Sequence, residues 1–110
     1  MAQAKSELFK EELSVTARYF KALAHPARVQ ILQFLAKSKS CITGDISDEL
    51  PLGRTTVNQH IKELKKIGLI TGHIEGVKTK YCLDPKGVTE LKKVLQLFIE
   101  ELDVKDYCCD

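Results

Sequence analysis

Residues 53–84 read GRTTVNQHIKELKKIGLITGHIEGVKTKYCLD. Val57, Ile61 and Leu64 recur in this stretch at helical spacing, which predicts an amphipathic helix over Arg54–Lys66, ended by Gly68. The runs Leu69–Ile74 and Val77–Leu83 are rich in strand formers. Only Glu75 and Gly76 separate them, the signal of a two-residue hairpin. Upstream, Thr43 can cap a short helix that has Asp45 in its first turn and runs to about Leu50, and Leu50-Pro51-Leu52-Gly53 then makes a tight turn. Short helix, turn, amphipathic helix and hairpin, in that order, make a helix-turn-helix over 43–66 followed by a wing over 69–83.

Both flanks read as helices. Over 6–23, Phe9, Leu13, Ala17 and Phe20 share one helical face. His25-Pro26 interrupts that helix and starts a second, which carries Val29, Ile31, Leu32 and Leu35 inward, because proline fits a first helical turn best. Asp84-Pro85 breaks the second strand. A last helix over 86–102 then carries Val88, Leu91, Val94, Leu95, Phe98, Ile99 and Leu102, an apolar band wider than one core face requires. The expected fold is mainly α with a small β-hairpin, an α+β winged helix-turn-helix of order α-α-α-α-β-β-α. With 110 residues, 44% of them hydrophobic, the chain forms one domain over 1–110 with one modest core. The surplus apolar residues of the first and last helices imply a symmetric homodimer.

No apolar run approaches the roughly 18 residues of a membrane span, and MAQAKSELFKEEL is too charged for a signal peptide, so the expectation is a cytoplasmic protein without membrane contact. The net charge of +2 hides an asymmetry. Arg54, Lys62, Lys65, Lys66, Lys78 and Lys80 face only Glu63 and Glu75 within residues 53–82, while the tail holds Glu100, Glu101, Asp103, Asp106 and Asp110 against Lys105. A basic stretch in an otherwise mildly acidic chain is the footprint of a polyanion-binding face; a solvated lysine-rich helix gives the same count. The order of residue types separates the two readings. Thr55, Asn58 and Gln59, which can donate to and accept from base edges, stand near the helix start with Arg54, which suits guanine, and Lys62 and later lysines suit phosphates. A helix entering the major groove by its N-terminal end needs that gradient. Lys78 and Lys80 of the wing extend the face, and the partner implied is double-stranded operator DNA. A protein-docking winged helix would show an apolar or acidic arc instead. No glycine-rich nucleotide loop or paired-carboxylate spacing supports an enzyme.

The runs LAHPARVQILQFL, GDISDELPLGRTTVNQHIKELKKIGLI and GHIEGVKTKYCLD resemble the ArsR/SmtB family of bacterial metal-responsive winged-helix repressors over roughly residues 17–84. The resemblance implies a homodimeric repressor, with 6–23 and 86–102 as dimerisation helices, that leaves its operator when a metal or metalloid binds. The Cys-x-Cys pair of many arsenic sensors in the family falls here on Ile42 and Gly44, immediately before Asp45, so that pair is absent and Cys41 lies just outside it. Zinc-sensing relatives place Asp and His ligands on the last helix, and this chain has no histidine after His73.

The remaining thiols read as follows. An intracellular setting favours reduced cysteines over disulfides. Cys108 and Cys109 are adjacent in the acidic tail 103–110, which offers no core to pack into, and the tail can reach the loop that holds Cys41. Three thiolates suit trivalent arsenic or antimony, so Cys41, Cys108 and Cys109 form the expected inducer site, with no resident cofactor required. A divalent soft metal with a fourth ligand and oxidation of the same thiols are the alternatives. Adjacent acids act against this site by raising thiol pKa. Cys82, alternating with Tyr81 and Leu83, reads as outward-facing and incidental. His60 reads as a hydrogen-bonded structural residue, although its counterpart in the family often lies close to the DNA; His25 reads as a helix-start residue, and His73 as a phosphate contact or idle.

Overall fold

A computed structural model describes residues 9–43, 51–75 and 78–108. The elements run α1 (Glu11–Leu23), α2 (Pro26–Ser38), β1 (Ile42–Thr43), α3 (Arg54–Lys66), β2 (Ile70–Glu75), β3 (Lys78–Leu83) and α4 (Pro85–Glu101). The short helix expected between Thr43 and Leu50 falls on residues 44–50, outside the described ones. Thr43 itself belongs to β1, which the sequence reading missed.

Local chemistry accounts for the boundaries. His25 caps α2, its Nδ1 accepting the Ala27 N–H at 3.0 Å, and Pro26 follows in the first turn as expected. Asp84 caps α4 in the same manner, its carboxylate accepting from the N–H groups of Lys86 and Gly87. Gly68, at φ +88°, reverses the chain after α3 in the left-handed region that glycine enters without strain.

The sheet is antiparallel with order β1-β3-β2. β2 and β3 pair from Ile70–Leu83 to Glu75–Lys78, which moves the hairpin link one residue beyond the expected Glu75-Gly76. Gly72 lies opposite Tyr81, and a Cβ there would press on the tyrosine ring at 3.0 Å. β1 adds two pairs, Ile42–Tyr81 and Thr43–Lys80.

Ile31 and Leu35 of α2, Val57, Ile61 and Leu64 of α3, and Leu69 and Ile70 at the start of the wing form the core, closed by Tyr19 of α1. Full burial of a side chain such as Leu64 stabilises the fold by about 1.5–3 kcal/mol. One expectation about inward faces needs correction. Val29 is exposed, and Ala27 replaces it on the buried stripe of α2, because the 27-31-35 spacing keeps one azimuth while 29 lies off it. On α1 the core takes Tyr19 and Ala22, leaving Phe9, Leu13 and Phe20 exposed. Helix α4 buries no residue completely: Leu91 and Val94 pack on the core, Phe98 meets Phe20 edge-to-face with centroids 5.0 Å apart, and Leu97, Ile99 and Leu102 face outward.

Candidate nucleic-acid interface

Helix α3 has the two faces that the periodicity predicts. Val57, His60, Ile61 and Leu64 are buried, whereas Arg54, Thr55, Asn58, Gln59, Lys62, Lys65 and Lys66 are exposed. The face opposite the core is therefore wholly polar, with amide and hydroxyl groups in its first turns and ammonium groups in its last. Lys66 lies 3.7 Å from Glu63, a solvent-exposed pair that contributes little to stability. Across β3, Lys80 is half-buried and pairs in register with both Thr43 and His73. Lys78 occupies the last rung of the hairpin ladder, opposite Glu75.

A part-buried polar contact anchors this helix. Arg28, in the first turn of α2, donates from Nε to Nδ1 of His60 at 3.1 Å, and its Nη1 donates to the Ala22 and Lys21 carbonyls at 3.2 and 3.4 Å. The His25 ring leans on the His60 ring with centroids 4.2 Å apart. Three helices thus meet at one guanidinium: the last turn of α1, the first of α2 and the middle of α3. Beside it opens a pocket of about 370 Å³, lined by Arg28, Gln59, His60, Lys62 and Glu63, so the anchor adjoins two of the exposed groups expected to touch DNA. Sequence reading placed His60 in a structural role but gave Arg28 none. The two are 32 residues apart, and no periodicity links them.

Burial holds the His60 pKa below its ordinary value of 6.5, and the neighbouring charges of His25 and Arg28 lower it further. The neutral ring is the form that accepts from Arg28. Since the unfolded chain takes up this proton near pH 6.5 and the folded chain does so only at lower pH, stability present above 6.5 is lost as the pH falls through the folded value. Urea denaturation at about pH 7.5 and 5.5 is expected to show this loss in the wild type and a smaller one in His60→Gln, which keeps an acceptor but cannot titrate. Equal losses in the two proteins would remove His60 as the cause.

The cysteines depart from expectation. Cys41 and Cys82 form a disulfide, with Cα atoms 4.3 Å apart. Neither is thus a reduced thiol in this form, and Cys82 is not incidental: the β1–β3 register that pairs Ile42 with Tyr81 carries Cys41 directly opposite Cys82. The sequence signal was weak, because a two-residue strand leaves almost no periodicity to read. Cys108 is exposed in the tail, and Cys109 lies outside the described residues. Of the three sulfurs expected to gather, that of Cys41 is bonded to Cys82, and among the described residues no group of three metal-ligating side chains converges.

The family described as "Bacterial regulatory protein, arsR family" matches residues 25–71, from the cap of α2 to the start of β2. An uncharacterized HTH-type transcriptional regulator of Methanocaldococcus jannaschii is 33% identical over 77% of this chain and 96% of its own length. The cadmium resistance transcriptional regulatory protein CadC homolog of Staphylococcus aureus is 28% identical over 93% of this chain and 83% of its own. Among solved structures, a "possible transcriptional regulator for arsenical resistance" superposes with a TM-score of 0.66 at 27% identity, covering 74% of this chain and 83% of that one. A polar, basic recognition helix on a winged scaffold and these relationships lead to one conclusion: the chain belongs to the arsR family of DNA-binding transcriptional regulators and is not an enzyme.

Proposed function

We propose that this chain is a homodimeric repressor that reads a two-fold operator with α3 and the wing and releases it when a thiol-directed inducer binds. The observation that carries the DNA reading is the sidedness of α3: every residue of its outer arc is polar, and the arc is ordered from base-reading to phosphate-binding groups. Arg54, Thr55, Asn58, Gln59 and Lys62 contact the major groove, and Lys78 and Lys80 contact the flanking backbone.

The dimer reading rests on the apolar surface that one chain leaves uncovered. Phe9, Leu13 and Phe20 of the α1 side and Leu97, Ile99 and Leu102 of the α4 side are each at least 39% exposed. Pairing two copies across these two helices would cover those side chains. Sedimentation at micromolar concentration is expected to show a dimer; a monomer overturns this part.

For the inducer, trivalent arsenic or antimony at Cys41, Cys108 and Cys109 is the soft-ligand reading, and it applies to the reduced chain alone, since Cys41 is otherwise bonded to Cys82. The cadmium and arsenical relatives make a soft inducer the natural chemistry to test.

The decisive measurement is duplex affinity against salt. Each neutralised phosphate contributes about −0.9 to the slope of log affinity on log salt, so a recognition face with several cationic contacts gives a steep line. A flat line would overturn DNA binding in favour of a protein-docking winged helix.

A further inference from the structure

Cys41 and Cys82 occupy a particular place in the chain. The covalent ring they close spans residues 41–82, and inside it lie all seven candidate DNA contacts, from Arg54 to Lys80. Cys41 leads into β1 and the helix-turn-helix; Cys82 is the last residue but one of the wing's returning strand. Among the described residues, β1 pairs with β3 at Ile42–Tyr81 and Thr43–Lys80. So short a ladder at a sheet edge is marginal without a covalent tie. Cys41 and Cys82 are both half-buried residues. Disulfides in proteins that act on intracellular DNA are characteristically transient and redox-sensing.

We propose that Cys41 and Cys82 are a reversible redox site whose closing sets how tightly the ring holds operator DNA. Closing takes a hydroperoxide as oxidant. The two thiols give up two protons and two electrons, the sulfur–sulfur bond forms, and the O–O bond breaks to give water and the corresponding alcohol or a second water. Opening takes a dithiol: one thiolate attacks a sulfur of the pair, a mixed disulfide forms, and the second thiol displaces it, leaving two cysteine thiols and an oxidised dithiol. The closed ring fixes the lead-in of the helix-turn-helix against the base of the wing. Both DNA-reading elements then meet the duplex already positioned, and less ordering remains for binding to impose. The closed pair also withholds Cys41 from any thiol-binding inducer. This inference rests on the DNA-binding reading but not on the identity of the inducer.

The test compares duplex DNA selected from a random pool by the peroxide-treated chain, titrated with that chain and with the same chain reduced by dithiothreitol. Closing the pair is expected to tighten binding by about five-fold in the wild type. Cys41→Ser and Cys82→Ser are expected to bind like the reduced wild type under both conditions, while Cys108→Ser keeps the full response. Affinities within two-fold in the two redox states, or an unchanged response in Cys82→Ser, overturn the proposal. Peptide mapping after peroxide reports on the site separately: a 41–82 link supports it, and a 41–108 link, or no link, overturns it. Failure of every form to bind duplex DNA would instead overturn the DNA-binding reading, and with it the affinity effect.

Discussion

Replacing Gly87 by alanine is expected to destabilise the fold by about 3 kcal/mol, an unusually large effect for adding one methyl group. A Cβ at Gly87 would land on the Gly68 carbonyl oxygen and lie 2.7 Å from its carbon, both backbone atoms. Neither side can yield cheaply. Gly68 holds its left-handed conformation between α3 and the buried pair Leu69 and Ile70, and the next residue bonds on both sides: the Leu69 N–H donates to the Leu64 carbonyl, and its carbonyl accepts from Asp84, each at 3.0 Å. On the other side, Gly87 sits in the first turn of α4, where the Asp84 cap fixes the helix start. The seat of α4 on the turn after α3 therefore depends on a missing side chain. Chemical denaturation reads the loss directly; a change below about 1 kcal/mol would show that α4 can shift without disturbing that turn.

The second large effect concerns DNA. Asn58→Ala and Gln59→Ala are each expected to cost about 1–3 kcal/mol on the preferred operator and little on unrelated duplexes, because an amide that pairs with a base edge contributes only where the right base is present. Lys62→Ala should weaken all duplexes alike and reduce the magnitude of the salt slope by about 1. All three residues are exposed, and none belongs to the core, so the fold should be unaffected. Competition binding with operator and scrambled duplexes separates the two classes. If the amide substitutions change only nonspecific affinity, α3 does not enter the groove by its first turns.

The elements that could be read from the sequence are those whose signals are local. The thirteen residues of α3 carry a single apolar stripe against a polar arc, and they fold with the boundaries that Gly53 and Gly68 suggest. His25-Pro26 announces a helix start because a proline fits the first turn, and Asp84-Pro85, read as the break after the second strand, supplies the cap and first residue of α4. Helix α1 was harder, since it carries two apolar stripes. The larger one, through Leu13 and Phe20 and continued by Phe9 just before the helix, draws attention, while the smaller, through Tyr19 and Ala22, enters the core of the single chain. Long-range pairings left no trace: Cys41 with Cys82 and Arg28 with His60 join residues 41 and 32 positions apart, where neither period nor composition constrains the partner. The expected meeting of Cys41 with the tail rested on its place beside the missing Cys-x-Cys pair, on the thiol count and on chain reach, and none of these weighs the tail against Cys82 as its partner.

The guanidinium of Arg28 bears on how portable this recognition helix is. Residues 54–66 look like a cassette that could be moved to another winged scaffold to carry its reading preference along. His60 makes the cassette incomplete, because its buried ring takes its hydrogen bond from α2, and the donor is held in turn by carbonyls at the end of α1. A graft without an arginine at the corresponding place would bring an imidazole into a foreign core with no donor facing it, at the cost of an unsatisfied buried acceptor. If α3 reads DNA as proposed, the smallest transferable unit in this protein is thus three segments, the last turn of α1, the first turn of α2 and α3, and chimeras built on the helix alone would lose the anchor that sets its place.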